Sequence, residues 1–218
     1  MVASTTAEVN LQCLAGRLRL SEYLWKDDKG RFAIAFKVGQ QRLMNNQKIV
    51  IMGFMGSGKS TVAHDLARKL NYRAIDLDDL ITMRESRRPR QIIEQDGEAA
   101  FRKIETRILR EALREASARV VAVGGGAWTI AENRRIIAEH EAFTVWLDAP
   151  FELCWTRIEA GRETRPLARF RETAQTLYTA RRGIYALADV RILVSENESS
   201  ETIAMKVAGA VDQLNAKS

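Results

Sequence analysis

KIVIMGFMGSGKSTVAHDLARKL, Lys48 to Leu70, passes from apolar β-branched residues through a cluster of glycines into apolar positions at helical spacing. Lys48–Phe54 reads as a buried strand and Lys59–Leu70 as a helix. Between them GFMGSGKS, Gly53 to Ser60, fits G-x-x-x-x-G-K-[ST] at every position, in the strand–loop–helix setting that pattern needs. Gly53, Gly56 and Gly58 let the backbone curl so that its N–H groups point inward at phosphate oxygens. Lys59 is placed to reach the β- and γ-phosphates, and the helix that starts there adds the positive end of its dipole. The Ser60 hydroxyl suits Mg²⁺, and Thr61 suits the α-phosphate. Gly56, Ser57, Gly58, Lys59, Ser60 and Thr61 are therefore the candidate nucleotide-binding residues. Kinases, ATPases and GTPases share this loop, so it does not choose among them.

Outward from the loop, strands and helices alternate. A short strand is expected around YRAIDLD (Tyr72–Asp78), and helices near Leu80–Arg84 and from about Glu98 to Ala118. ARVVAVGGG (Ala118–Gly126) and FTVWLDAP (Phe143–Pro150) read as buried strands. RILVSE (Arg191–Glu196) reads as the last strand, before an amphipathic helix from Ser200 to Leu214. Strands apolar on both faces and separated by helices predict an α/β fold whose parallel sheet is covered on both sides. Residues 1–43 carry no chemical motif, although LRLSEYLWKDDKGRFAIAFKVG suits a hairpin turning at Asp27–Gly30. The expected division is an extension over 1–43 and a kinase-sized domain over 44–218. Two readings of the extension stay open: an accessory hairpin, or a coding sequence that really starts at Met44.

The bulk properties exclude several classes. The 218 residues are 46% hydrophobic and 28% charged, as in a soluble globular chain. No apolar run reaches the roughly 18–20 residues that span a bilayer, and the N-terminus lacks the pattern of a secretory signal. Cys13 and Cys154 form neither metal-ligand spacing nor a disulfide framework, so a cytoplasmic location is expected. The net charge of +6 comes mostly from arginines interleaved with acids; the one basic run is RESRRPR, Arg84 to Arg90. Interleaving is the mark of solvated helix faces, and anionic substrates account for the rest. Neither nucleic acid nor membrane is expected as a partner. Trp128, Trp146 and Trp155 read as core, Cys154 as a small buried hydrophobe, and His64 and His140 as uninvolved in chemistry.

Further motifs carry chemistry. In IDLDD, strand alternation would send Asp76 and Asp78 to one side, two carboxylates suited to metal and to an acceptor hydroxyl. GEAAFRKIE (Gly97–Glu105) opens the long helix with Phe101 and Ile104 at core spacing and Arg102 and Glu105 as an i,i+3 pair. That pair is either a surface salt bridge or leaves Arg102 to clamp a carboxylate. Gly124, Gly125 and Gly126 end a strand where open α/β sheets bind ligands. GRETRPLA (Gly161–Ala168) and ARRGIY (Ala180–Tyr185) add arginines in loop and helix positions.

The order of these motifs resembles the shikimate kinase family over nearly all of residues 47–214. GSGKST (Gly56–Thr61), DLD (Asp76–Asp78), GEAAFRKIE, GGG (Gly124–Gly126), RPL (Arg165–Leu167) and RRGIY (Arg181–Tyr185) stand in the family's sequence. The resemblance implies a three-layer sandwich of the nucleoside-monophosphate-kinase-like P-loop type, with a mobile lid. It implies transfer of phosphate from ATP to the 3-hydroxyl of shikimate in aromatic amino acid biosynthesis, with Mg²⁺. By the same implication Asp78 would act at the acceptor hydroxyl, and Asp76 with Ser60 would hold the metal. Arg102 and Arg181 would grip the substrate carboxylate, and the backbone around Gly125, from Gly124 to Gly126, would touch its hydroxyls. Arg165 on the lid would steady the transferring phosphoryl group, and Arg157 would lie near adenine. A monomer is expected. The chain departs from the pattern at Arg88-Pro89, at Ile93, at RPLARF and at Gly183, all around the acceptor pocket and lid. Two other readings remain: a kinase for another hydroxylated acid such as gluconate, and a nucleotide-binding module without catalysis.

Overall fold

The computed structural model describes residues 25–26, 32–33, 47–160 and 170–215. The chain divides into two units, Met1–Gln41 and Arg42–Ser218. Within the first, β1 (Trp25–Lys26) pairs antiparallel with β2 (Phe32–Ala33), Trp25 opposite Ala33 and Lys26 opposite Phe32. The expected turn at Asp27–Gly30 lies outside the described residues.

The second unit is built on five parallel strands. They are β3 (Ile49–Gly53), β4 (Arg73–Asp76), β5 (Ala118–Ala122), β6 (Phe143–Asp148) and β7 (Val190–Leu193), in the order β4-β5-β3-β6-β7. Hydrophobicity explains the order. All residues of β3 and β5 are buried, as central strands covered on both faces must be, whereas β4 and β7 at the edges are mostly half-buried or exposed. Helices flank the sheet: α1 (Lys59–Lys69) packs with α8 (Ser200–Asn215), and α4 (Glu98–Arg114) with α2 (Leu77–Glu85), α3 (Pro89–Asp96) and α5 (Ala131–Glu139). The remaining helices are α6 (Phe151–Ala160) and α7 (Arg171–Tyr185), with a 3₁₀ turn at Ala127–Thr129. This is the three-layer α/β sandwich the alternation predicts, and Trp128, Trp146, Trp155 and Cys154 lie in its core.

Three local readings are corrected. The strand at residues 72–78 stops at Asp76, because that side chain accepts a hydrogen bond from the Asp78 amide and caps α2. Asp78 therefore stands in the first turn of a helix and not on the strand. The long helix ends at Arg114, short of Ala118; Glu115 turns extended and bonds the Ser117 amide, which releases Ala118 to start β5. In the basic run, Pro89 opens a helix that went unread, suited to the first turn where its missing N–H costs nothing. Arg84, Arg87 and Arg90 of that run pair with Glu111, Asp96 and Glu94. The run, the one stretch set apart from the interleaved charges, is thus salt-bridged to acids of α3 and α4.

Candidate functional site

The parallel strands end at one edge of the sheet, and there the chain turns five times: after Gly53, Asp76, Ala122, Asp148 and Leu193. A cleft of about 580 Å³ opens along that edge, lined by Gly56 to Thr61, Asp76, Asp78, Gly124, Gly125 and Arg157, with Ser200 and Ile203 of α8 at one side.

Backbone forms one end of the cleft. Gly56 takes φ 80° and packs so closely on α6 that a Cβ there would sit 2.5 Å from the Cys154 carbonyl oxygen. Only glycine fits both constraints. The Ser57 amide donates to the Phe54 carbonyl at 3.1 Å, and Lys59 Nζ reaches back to the same carbonyl at 2.9 Å, spanning the loop. Arg157 Nη1 donates to the Gly56 carbonyl at 3.2 Å, which ties α6 to the loop and places the guanidinium at the mouth. Ser60 Oγ donates to Asp76 Oδ2 at 2.5 Å, so a hydroxyl and a carboxylate meet beside the loop. Asp78 follows two residues on, in the first turn of α2, and lines the cleft. Desolvation within the cleft, and then the charge of Asp76, push its carboxyl up to about 6, although Lys59 and Arg102 pull the other way.

Side chains form the other end. Arg102 Nη2 stands 2.6 Å from where a Cβ on Gly126 would be, and Arg181 Nη1 stands 3.5 Å from the corresponding point on Gly125. The triple glycine is the floor beneath two guanidiniums, and a side chain at Gly126 would fill the space Arg102 occupies. Arg102 donates to Glu105 Oε2 at 2.8 Å and to Glu98 Oε1 at 2.9 Å. The Arg102–Glu105 pair is not on the surface: the Glu105 side chain is 1% exposed, and Ile104, expected in the core, is the more exposed of the two. Burial raises the Glu105 carboxyl to about 6 in spite of Arg102. Asp78 Oδ1 and Glu105 Oε1 lie 3.3 and 3.4 Å from the Cβ position of Gly124, so a side chain there would meet both carboxyls. Tyr185 donates from its hydroxyl to the Gly125 carbonyl at 2.5 Å and hydrogen-bonds Arg181, one helical turn before it. Burial pushes this phenol up to about 12, partly offset by Arg181.

The structure thus brings together Gly56 to Thr61, Asp76, Asp78, Arg102, Gly124 to Gly126, Arg157 and Arg181 at one sheet edge. Arg165 lies outside the described residues. Sequence reasoning passed over Glu98, Glu105 and Tyr185 as site residues. Spacing held the signal in each case: Glu98 and Glu105 fall four and three residues from Arg102, and Tyr185 four from Arg181.

A phosphate loop on a parallel sheet, facing a carboxyl and a pair of arginines across one cleft, defines a P-loop kinase of small molecules. A family model described as shikimate kinase matches residues 55–212. The chain belongs to the shikimate kinase family. It is 43% identical over 151 residues to a shikimate kinase of Geobacter sulfurreducens, covering 68% of this chain and 82% of that one. To a shikimate kinase of Persephonella marina it is 36% identical over 165 residues, covering 76% and 99%. Among solved structures, shikimate kinase from Acinetobacter baumannii in complex with shikimate superposes with a TM-score of 0.74 at 28% identity, covering 80% of this chain and 98% of that one.

Proposed function

We propose that this chain transfers the γ-phosphoryl group of ATP to the 3-hydroxyl of shikimate, giving ADP and shikimate 3-phosphate. The observation that carries the reading is the cleft that joins the phosphate loop to Gly124 and Gly125, with Asp78 on its lining and Arg102 and Arg181 close against Gly126 and Gly125. Membership of the family supports the choice of acceptor.

In this reading the loop amides and Lys59 hold the β- and γ-phosphates, and Arg157 flanks the base near Ser200 and Ile203. Arg102 and Arg181 receive the carboxylate of the acceptor. That contact orients the ring so that one hydroxyl faces Asp78, and positioning of this kind is the larger part of phosphoryl transfer. With a carboxyl near 6, Asp78 is mainly ionised at pH 7 and still basic enough to take the hydroxyl proton. Arg165, six residues before the start of α7 in the sequence and in the R-P-L stretch the family resemblance makes a lid, would add charge to the transferring group. The donor set fits Mg²⁺: Ser60 and Asp76 offer hard oxygens. Phosphate oxygens and water would complete the ion's shell. The ion supplies charge neutralisation on the phosphates. No helix among the described residues is long and apolar enough to cross a membrane, and a monomer acting in the cytoplasm suits the reading.

The test is a coupled ADP-release assay with MgATP and shikimate, with gluconate and no acceptor in parallel. Release that requires shikimate is expected. Release with gluconate alone would transfer the reading to another hydroxylated acid, and release with neither would overturn it.

A further inference from the structure

Helix α7 carries Arg181 yet has little apolar burial to place it. Of its 15 residues only Ala174 and Tyr185 are buried. A helix so thinly packed is free to roll about its axis unless polar contacts fix it, and a roll of about half a residue step, roughly 50°, would swing Arg181 off Gly125.

At the C-terminal end of α7 Tyr185 donates to the Gly125 carbonyl and Ile184 accepts from Trp128 Nε1 at 2.9 Å; the charged contacts of the helix with the sheet converge on Asp148. This carboxylate ends β6 with its side chain 6% exposed, and Arg182 grips it with both terminal nitrogens, at 2.6 Å to Oδ1 and 2.9 Å to Oδ2. Arg191 of the edge strand β7 donates to the same Oδ2 from Nε at 2.8 Å. Trp146 lies two residues before Asp148 on the same face of β6, and the guanidinium carbons of Arg182 and Arg191 sit 5.1 and 4.9 Å from its ring centroid. One turn earlier on α7, Tyr178 donates to the Ala149 carbonyl at 2.9 Å and accepts from Arg182 at 2.6 Å. Tyr178, Arg182 and Tyr185 follow i, i+4, i+7 spacing and share one face of the helix.

The neighbouring arginines are therefore sorted. Arg182 is saturated by the buried carboxylate, whereas among the described residues no carboxylate forms an ion pair with Arg181, which is left to the cleft. We infer that Asp148, clasped by Arg182 and Arg191, is a positioning residue for the acceptor: it sets the roll of α7 and through it the place of Arg181. A bidentate pair serves this purpose because it fixes orientation as well as distance. The inference rests on the reading that Arg181 meets the acceptor carboxylate.

A double-mutant cycle on the full chain separates the two claims. Arg181→Ala should raise KM for shikimate by roughly 10–100-fold, the loss of a hydrogen-bonded charge contact. Asp148→Asn, which keeps the shape but weakens the grip on Arg182, should raise the same KM about tenfold and leave KM for ATP within about twofold. Asp148→Glu, which keeps the charge, should stay closer to wild type than Asp148→Asn. In the Arg181→Ala background, Asp148→Asn should add less than about twofold, because its effect passes through the missing side chain. If Asp148→Asn does not fold, the cycle is run with Arg182→Gln, whose side chain is about one-third exposed. Equal losses in both KM values, no effect, or full multiplication of the two substitutions would each overturn the inference. Arg181→Ala without effect on shikimate would instead sink the acceptor reading itself.

Discussion

The two ends of the cleft are built by different means. At the phosphate end the working groups belong to one run of consecutive residues, the loop amides with the Lys59 and Ser60 side chains, on a backbone locked by glycines such as Gly56 against α6. At the acceptor end they are side chains drawn from α2, α4 and α7 around the glycine backbone after β5, and each arginine depends on partners about one turn away on its own helix: Arg102 on Glu98 and Glu105, Arg181 on Tyr185. A backbone cradle is rigid once the local sequence folds. A side-chain cradle is only as well placed as the helices beneath it, and it stores charge in poor solvent. Damage at the first end should abolish turnover, and damage at the second should shift affinity, stability or pH response while turnover persists.

The largest effect is expected at Lys59. Replacing it with methionine removes a fixed charge from the phosphates, and kcat should fall about 10³-fold, the scale of a lost electrostatic contact to a transition state. Single-turnover measurement with saturating ATP checks this, and a loss below tenfold would break the distinction between the two ends. Asp78→Asn stands on the boundary. It keeps the shape and removes the base, so kcat should fall on the order of 10²-fold with KM for ATP nearly unchanged. A matching rise in KM for ATP would place Asp78 with the nucleotide instead.

Arg102 and Arg181 sharpen the comparison within the acceptor end. Both alanine variants should raise KM for shikimate by roughly 10–100-fold. Only Arg102→Ala should also lower the melting temperature, because it strands Glu105 in the core without its counter-ion, and an unpaired buried charge costs several kcal/mol, about 3–5 in comparable cases. Thermal denaturation of the two variants side by side is the measurement. Equal melting temperatures would show that Glu105 protonates or re-pairs at little cost.

The same division explains what could be read from the sequence. The phosphate loop was legible because its chemistry is contiguous and its glycines admit few alternatives. The sheet followed from apolar runs such as IVIMG and ARVVA, whose burial on both faces leaves one arrangement. Asp76 and Asp78 were found, but strand alternation was the wrong reason: Asp76 caps a helix, and the cap carries Asp78 into the cleft. Helix α3 was hidden because arginines and a proline resemble a loop until their partners Asp96 and Glu94 are known to be near. The Arg102–Glu105 pair left two readings open, a surface salt bridge or a clamp for a carboxylate, because i,i+3 spacing says nothing about depth. The burial of Glu105 makes sense only once Arg102 is seen against Gly126. Asp148 gave no signal at all, since both of its arginines lie more than thirty residues away in the chain.

The smallest expected effect concerns Glu105 and pH. Its carboxyl rises from 4.5 to about 6 in the folded chain, so the folded state holds the proton more tightly than the unfolded state. Its contribution to stability is complete below the unfolded value and is lost as pH climbs through about 6. A shift of this size corresponds to about 2 kcal/mol between pH 4 and pH 8. Asp78, also raised to about 6, adds a slope of the same sign, so the wild type alone cannot separate the two. Glu105→Gln removes one titration and leaves the other. Its unfolding free energy, from urea titrations at pH 5 and pH 8, should fall less between those two values than that of the wild type, by about 1–2 kcal/mol. An unchanged slope would mean that Arg102 holds Glu105 fully ionised, and that the acceptor end stores no more charge strain than the phosphate loop does.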